Sequence, residues 1–189
     1  FAKLIHISTD CVFSGKKGSP YIETDFKDGL GFYAQSKALG EIKNDKNLTI
    51  RTSIIGPELK KEGIGLFNWF VQQTDEVLGY SNAYWSGVTT IELARAIKEA
   101  IKENMSGVYH LSSPIKISKK DLLFLLQKEF GTKINIRSYG DYKVDKSLIN
   151  TRSDHTTVVS SYNHMIKEMH RWIVSHKDLY SHYSGKLVS

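Results

Sequence analysis

The sequence predicts a mixed α/β fold built on a parallel sheet, and three observations support this prediction. Residues 3–8 form a short apolar run typical of a buried parallel strand. A helical pattern follows over residues 32–44, and residues 48–53 form a second strand-like run. A strand, a crossover helix and a parallel strand make a βαβ unit, whose functional groups lie at the carboxyl ends of the strands.

The other elements are predicted from periodicity and turn chemistry. Residues 13–31 hold four glycines and a Ser-Pro pair, so this segment is predicted to be a loop. Ser118 is followed three residues later by Asp121, which indicates a helix cap, and Gly131 is expected to end that helix. The remaining predicted helices cover residues 66–74, 89–103, 118–130 and 163–175, and the remaining strands cover 76–79, 108–111 and 134–138.

Composition favours a soluble enzyme of modest size. The chain has 189 residues, of which 40% are hydrophobic and 24% charged, and it holds no apolar run long enough to span a membrane. The single Cys11 excludes an internal disulfide and fits a reducing cytoplasm. We therefore expect a cytoplasmic protein with no membrane partner.

The net charge of +6 comes from the second part of the chain. Lys+Arg and Asp+Glu both number 13 in residues 1–115, against 13 and 7 in residues 116–189. The basic residues are scattered and no aromatic motif is interleaved with them, so no nucleic acid partner is predicted. Histidines recur every six residues in the tail, which scatters them around a helix, so no metal site is predicted either.

Tyr33 and Lys37 are the strongest candidates for chemistry. Four residues apart, they share one face of the predicted helix, and an ammonium beside a phenol favours its ionised form. Thr9 ends the first predicted strand, 24 residues before Tyr33. Carbonyl reduction requires a positioned acid that protonates the oxygen as negative charge develops there. The pair alone is a common accident on amphipathic helices, but the strand, loop and helix around it favour a catalytic role.

Four segments carry a family resemblance. They are Ser-Thr-Asp-Cys-Val-Phe-Ser-Gly at 8–15, Pro-Tyr-Ile-Glu-Thr-Asp at 20–25, Tyr-Ala-Gln-Ser-Lys-Ala-Leu-Gly-Glu at 33–41 and Arg-Thr-Ser at 51–53. The chain resembles the extended short-chain dehydrogenase/reductases, and within them the dTDP-4-dehydrorhamnose reductase branch. That branch reduces the 4-keto group of a nucleotide-linked deoxysugar, for surface polysaccharide precursors, with NADPH or NADH.

The resemblance implies a domain organisation and a set of site residues. Residues 1–53 and 82–112 would form the second half of a Rossmann-type NAD(P)-binding domain, and 54–81 and 113–189 a smaller α/β substrate-binding domain. The implied catalytic residues are Thr9, Tyr33 and Lys37, and the implied cofactor contacts are Ser8, Tyr33, Lys37 and Ile54. The implied substrate contacts are Asp10, Val12, Phe13, Trp85 and Arg152, with Lys146 as a second candidate for the diphosphate. A nucleotide sugar is the expected partner, and homodimerisation stays open.

Departures from the family pattern refine these expectations. Related dehydratases carry an acidic residue where this chain has Cys11, which favours a reductase. Ile54 replaces a tryptophan, and residues 85–90 replace a Gly-x-Pro-Thr stretch, so the sugar and the nucleotide stay open. The chain starts at Phe1 and contains no G-x-x-G-x-x-G phosphate loop. We therefore expect the part that binds adenine and pyrophosphate to lie outside these residues, and the choice between NAD and NADP stays open.

Two alternatives remain from the sequence. The beta subunit of methionine adenosyltransferase is similar to the same family and keeps related motifs while acting as a partner protein. A regulatory NAD(P)-binding subunit is therefore the first alternative, and a sugar-nucleotide epimerase is the second. The enzyme is favoured because Thr9, Tyr33 and Lys37 are all present.

Overall fold

A computed structural model describes residues 2–155, 157–185 and 187 of the chain. The strands are β1 (Ile5–Thr9), β2 (Leu48–Thr52), β3 (Ile54–Ile55), β4 (Glu76–Tyr80), β5 (Ala83–Trp85), β6 (Val88–Thr89), β7 (Gly107–His110), β8 (Ile117–Ser118), β9 (Asn135–Tyr139) and β10 (Val144–Asp145). The helices are α1 (Phe32–Leu39), α2 (Leu66–Phe70), α3 (Thr90–Lys102), α4 (Lys119–Phe130) and α5 (Tyr162–Ser175). Short 3₁₀ segments cover Asp10–Val12 and Lys177–Tyr183.

The principal sheet has the order β1-β2-β7 and is parallel throughout. Thr9 pairs in register with Thr52, so the carboxyl ends of β1 and β2 meet at one edge. Every residue of β2 is buried, as expected for the central strand of a covered parallel sheet. The predicted βαβ unit is therefore confirmed, and so is the α/β fold class.

Smaller sheets extend the fold beside this one. β4 and β9 pair in parallel over five residues, β3 pairs with β6, and β5 lies between β10 and β8. The chain therefore passes repeatedly between the principal sheet and the outer elements, which places residues distant in sequence around common clefts.

Side-chain caps begin three of the helices. The Ser118 hydroxyl accepts a hydrogen bond from the Asp121 amide at 3.0 Å, which confirms the predicted cap of α4. Thr89 and Ser161 cap α3 and α5 in the same way. Gly131 ends α4 in the left-handed conformation, with φ of 65°, where a side chain would be strained.

Two larger apolar clusters form the core. One packs α2, α4 and α5 around the fully buried side chains of Phe67 and Phe130, whose ring centroids lie 4.8 Å apart. The other packs α3 against the principal sheet. Helix α5 joins them, because Met165 belongs to the cluster at the sheet and Ile166 to the other.

The division into two domains stays a prediction. In the described part of the chain, no helix has the length and apolarity that crossing a membrane requires.

Candidate functional site

Thr9 ends β1 at the carboxyl edge of the principal sheet and is 8% exposed. Its hydroxyl oxygen accepts the amide of Cys11 at 3.1 Å and so caps the 3₁₀ turn that follows. The hydroxyl also donates to the Asp10 carboxyl at 3.1 Å. A substrate oxygen at this edge would therefore compete with Asp10 for the Thr9 proton.

Lys37 fixes helix α1 across β1. Its ammonium donates to the carbonyl oxygen of Ile7 at 2.7 Å. Tyr33 lies one turn earlier on the same face, about 6 Å along the helix axis, while Thr9 lies two residues beyond Ile7, about 6.6 Å along the strand. Because the helix returns antiparallel to the strand, these steps bring Tyr33 to the end of β1 that Thr9 occupies. Tyr33 is 59% exposed, and its hydroxyl has no hydrogen-bond partner among the described residues.

The loop before α1 closes tightly against the turn after Thr9. The Gly29 amide donates to the carbonyl oxygen of Val12 at 2.8 Å. A Cβ atom at Gly29 would lie 2.3 Å from the carbonyl oxygen of Cys11, so only glycine allows this approach. The start of the Tyr33 helix is thereby held against the strand end that carries Thr9.

A buried ion pair anchors the other end of α1. Glu41 and Arg51 have side chains only 3% and 5% exposed and form two hydrogen bonds, of 2.8 and 2.9 Å. Ser8 donates to the same carboxylate at 2.6 Å and Lys27 at 3.0 Å. Burial alone would raise the pKa of Glu41, but the hydrogen bonds from Arg51, Ser8 and Lys27 outweigh it and lower the pKa to about 2.

His110 is fully buried beside this ion pair. Its Nδ1 lies 3.2 Å from the carbonyl oxygens of Tyr21 and Ile149, and its Nε2 lies 3.2 Å from the Arg51 guanidinium. Carbonyls only accept and guanidinium only donates, so the ring is neutral with its proton on Nδ1. Burial lowers the pKa of His110 to about 4, with Arg51 adding to the shift and the Glu23 carboxylate opposing it.

We expect His110 to make the fold less stable as the pH falls from about 6.5 to about 4. The unfolded chain protonates this histidine near 6.5 and the folded chain only near 4, so in this window the unfolded state binds more protons. At about 1.4 kcal/mol per unit, the loss reaches about 3 kcal/mol at most. Urea denaturation between pH 7 and 4.5 measures it.

The matched control for this prediction is His110→Gln, which removes the titrating group. Glu41 contributes stability that is lost below about pH 4.5, and Asp10 acts in the opposite sense because burial raises its pKa. The difference in the pH dependence of unfolding free energy between the wild type and His110→Gln separates the contribution of His110 from those of Glu41 and Asp10. An unchanged pH slope in the variant would contradict the assignment.

A pocket of about 360 Å³ opens beside the end of β1. Its polar lining residues are Asp10, Cys11, Ser53, Lys119 and Lys146. Its aromatic lining residues are Trp69, Tyr80, Tyr84, Trp85 and Tyr142. Burial, and then the Asp10 carboxyl, raise the pKa of the Cys11 thiol. The pocket can therefore hold a ligand that carries both charged groups and a planar apolar surface.

Several of the predicted site residues lie together. Asp10 and Trp85 both line the pocket, and Thr9 directly precedes Asp10. Ile54 is 50% exposed and follows Ser53, another lining residue. Ser8 is buried, and its hydroxyl is used by Glu41. The roles of these residues stay predictions.

The side chains of Val12 and Phe13, two predicted substrate contacts, are fully buried, so neither side chain contacts a ligand in this structure. After the 3₁₀ turn the chain folds inward, and these residues pack into a small cluster with Tyr21 and Leu148. The Phe13 ring stacks on Tyr21 with centroids 4.2 Å apart. The side chains therefore support the turn after Thr9 from beneath and have no surface to offer a ligand.

Arg152 is also misplaced as a contact for the diphosphate. Its guanidinium donates to the carbonyl oxygens of Ser106 and Val108, at the amino-terminal end of β7, and forms an ion pair with Asp154. It thus lies at the edge of the sheet opposite Thr9. Lys119, to which the sequence analysis assigned no role, lines the pocket. The available signal was its position directly after the Ser118 cap, where a helix disfavours a cation.

The residues present fit the nicotinamide ribose end of a dinucleotide. The exposed Tyr33 hydroxyl is without a partner in the described part of the chain, and the Lys37 ammonium has two further N–H groups beside the one given to Ile7. Both groups can form hydrogen bonds with the hydroxyls of the ribose and with the oxygen of the reacting carbonyl. In that same described part, no group of three or more His, Cys, Asp and Glu side chains is placed to hold a metal.

A family model described as the RmlD substrate binding domain matches residues 2–141. The dTDP-4-dehydrorhamnose reductase of Burkholderia thailandensis is 31% identical over 122 residues, which cover 58% of this chain and 41% of that protein. The spore coat polysaccharide biosynthesis protein SpsK of Bacillus subtilis is 29% identical over 141 residues, which cover 72% of this chain and 50% of SpsK. The chain therefore spans half or less of these two curated relatives.

A solved structure shares the fold. The dTDP-4-dehydrorhamnose reductase of Bacillus anthracis, crystallised in complex with NADP, aligns with a TM-score of 0.77 at 20% identity. The alignment covers 90% of this chain and 66% of that one. At this identity the likeness establishes the fold, which agrees with the Rossmann-type architecture predicted from the motifs.

Proposed function

The chain belongs to the RmlD substrate-binding domain family, and we propose that it carries the catalytic residues of an NAD(P)H-dependent reductase. The substrate in this proposal is the 4-keto group of a nucleotide-linked deoxysugar, used as a precursor of surface polysaccharides. The names of the two curated relatives, a deoxysugar reductase and a spore coat polysaccharide protein, support this choice.

One observation carries the proposal. Lys37 is bonded to Ile7, two residues before Thr9, and Tyr33 lies one turn earlier on the same helix face with a hydroxyl that makes no hydrogen bond with the described residues. The pocket that starts at Asp10, the next residue, provides room for a sugar nucleotide. This arrangement supports a proton donor and a second hydrogen-bond donor at the carboxyl edge of the sheet, where α/β folds bind ligands.

The residues divide the work in the following way. The nicotinamide cofactor, when bound, supplies the hydride to the carbonyl carbon. Tyr33 gives its proton to the oxygen as negative charge develops there, and Thr9 turns its hydroxyl from Asp10 to the same oxygen. Lys37 keeps its bond to Ile7 and uses its remaining N–H groups to stabilise the Tyr33 phenolate and hold the ribose.

We expect the protein to oxidise NADPH or NADH in the presence of a 4-keto-6-deoxysugar nucleotide. The protein, expressed from the start codon of its own reading frame, is assayed against enzymatically generated dTDP- and UDP-linked 4-keto-6-deoxysugars. Loss of absorbance at the nicotinamide band, with formation of the 4-hydroxy sugar, is the supporting result.

The same assay separates the alternatives. Conversion of one sugar nucleotide into its epimer without net cofactor oxidation would identify an epimerase. Tight cofactor binding without turnover on any sugar would contradict the reductase and indicate a regulatory subunit.

A further inference from the structure

A long irregular loop, residues 13–31, connects the turn after Thr9 to the helix that carries Tyr33. No helix or strand forms within these residues. Irregular segments of this kind are more mobile than the elements they connect. The contacts made by the middle of the loop therefore determine how firmly Thr9 and Tyr33 are held relative to each other.

Glu23 lies in the middle of this loop, and its carboxylate accepts hydrogen bonds from two distant parts of the chain. The Thr151 hydroxyl donates at 2.7 Å and the Thr151 amide at 3.1 Å, across 128 positions of sequence. The amide of His110, the last residue of β7, donates at 3.1 Å. The carbonyl oxygen of Glu23 accepts from the Arg51 guanidinium at 3.0 Å. The middle of the loop is thus tied to the carboxyl edge of the principal sheet and to Thr151.

An ionised carboxylate suits this position. It carries no donor of its own, so it accepts all of these hydrogen bonds at once. Burial alone would raise the pKa of Glu23, but the hydrogen bonds from Thr151 contribute to an overall lowering of it. Hydrogen bonds to a charged acceptor are stronger than those between neutral groups. Glu23 therefore forms a firmer tether than a neutral side chain would.

Thr151 ends a segment that runs beside the loop, residues 144–151, which we call the strap. Backbone hydrogen bonds of 2.8–3.0 Å join strap and loop, from Asp145 to Gly15, from Tyr21 to Ser147 and from Ile149 to Tyr21. The bonds between Glu23 and Thr151 continue this series at its far end. They are the part of the series in which a side-chain hydroxyl meets a charged side chain, so substitution can remove them without changing the backbone.

We propose that Glu23 is a positioning residue that fixes the loop between Thr9 and Tyr33 by binding Thr151 of the strap. The inference rests on the proposed function, in which Thr9 and Tyr33 must reach the same carbonyl oxygen. Glu23 takes no part in the proton transfer and acts through the loop. Without the tether, the two hydroxyls lose the fixed geometry on which the rate of the reaction depends.

The primary test is Thr151→Val in steady-state NADPH or NADH oxidation. Thr151 is exposed, and the change removes one hydroxyl while the backbone amide stays. We expect kcat to fall about 5-fold or more and KM to change less than about 3-fold, because a small misplacement of reacting groups lowers the rate more than it lowers binding. Thr151→Ser, which keeps the hydroxyl, should restore most of kcat. Glu23→Ala, which removes every bond to the carboxylate, should lower kcat further.

The matched control is Asp25→Asn, in the same loop. Its carboxylate accepts the Ile22 amide at 2.8 Å and the Lys17 ammonium, and both donors lie inside the loop. Its kcat should stay within about twofold of the wild type, since the tether to the strap is intact. The double variant Glu23→Ala with Thr151→Val should lose no more than Glu23→Ala alone, because the acceptor of the Thr151 hydroxyl is already absent.

Hydrogen exchange followed by mass spectrometry tests the tether without cofactor or turnover. Peptides from residues 13–31 should exchange faster in Thr151→Val than in the wild type or in Thr151→Ser. Peptides from α4, which lies outside the loop, should exchange at the same rate in all three proteins. Faster exchange throughout the chain would indicate a general loss of stability and would contradict a local tether.

The inference would be overturned by wild-type kcat in both Thr151→Val and Glu23→Ala, or by unchanged exchange of the loop in both. A loss of kcat that Asp25→Asn shares, or that Thr151→Ser does not restore, would overturn it too. A wild-type protein that reduces no 4-keto sugar nucleotide would refute the proposed function and, with it, the catalytic role of the tether. Hydrogen exchange would then still decide whether Glu23 holds the loop, so the two failures are distinguishable.

Discussion

Replacing Tyr33 with phenylalanine is expected to lower kcat at least 100-fold while leaving the fold intact. The substitution removes one hydroxyl from a side chain that is 59% exposed and makes no hydrogen bond with the described residues. No packing is lost, but the proton donor for the carbonyl oxygen is gone, and general acid catalysis typically contributes 10²- to 10⁴-fold. The measurement is steady-state NADPH or NADH oxidation on the best substrate found, with the melting temperature determined in parallel.

The matched control for Tyr33→Phe is Tyr139→Phe. Tyr139 lies on β9, outside the pocket lining, and its hydroxyl also has no hydrogen-bond partner among the described residues. Its kcat should stay within twofold of the wild type. A Tyr33→Phe protein that kept more than about a tenth of wild-type kcat would remove Tyr33 from the role of acid.

Elements with a strong local signal were well predicted from sequence. The helix expected over residues 89–103 is found at Thr90–Lys102, with its apolar residues at helical spacing. The Ser118 cap and the Gly131 end of α4 are both confirmed, because capping is decided by residues within one turn. Strands β1 and β2 were found because each is a short run rich in the β-branched residues Ile and Thr.

Elements decided by distant partners were missed. Strand β5 (Ala83–Trp85) exists because it pairs with β8 and β10, more than 30 and 55 residues further along the chain. Nothing within three residues reveals such pairing. Helix α1 was predicted to reach residue 44 but ends at Leu39. Glu41 lies two residues beyond the helix end and forms an ion pair with Arg51 on β2. This ion pair outweighs the helical preference of the segment.

The site shows the same division. Tyr33 and Lys37 were recognisable because their spacing is local to one helix. Lys119 was not, because a sequence does not reveal which cations line a pocket. Arg152 is neutralised by Asp154, only two residues away, whereas Lys116 is paired with Asp145, 29 residues away. The identification of Lys119 required the three-dimensional contacts of every lysine around the pocket.

Replacing Arg51 with methionine is expected to lower the free energy of unfolding by about 3–5 kcal/mol, the cost of breaking a buried ion pair by removing one partner. Glu41 would keep only Ser8 and Lys27 as donors, and the Nε2 atom of His110 would lose its own. A carboxylate left buried without sufficient donors is destabilising because it has lost its solvation by water. Urea denaturation at pH 7 measures the change.

An exposed ion pair provides the control for Arg51→Met. Arg137 pairs with Glu76 at 2.6 Å, but the two side chains are 59% and 43% exposed. Arg137→Met should therefore cost less than about 1 kcal/mol. A loss of similar size in the two variants would contradict the special role of the buried pair.

The double variant Glu41→Gln with Arg51→Met decides whether the cost comes from the charge. A neutral amide at residue 41 has no buried charge to compensate, so the double variant should recover part of the stability lost in Arg51→Met. If it is no more stable than Arg51→Met, the lost packing and hydrogen bonds of the guanidinium, which both variants lack, are the larger contribution. Because Glu41 lies two residues beyond α1 and binds Ser8, next to Thr9, the single variant should also displace Tyr33 from the strand end. A fall in kcat beyond that explained by the unfolded fraction, smaller in the double variant, would show that this ion pair positions the catalytic helix.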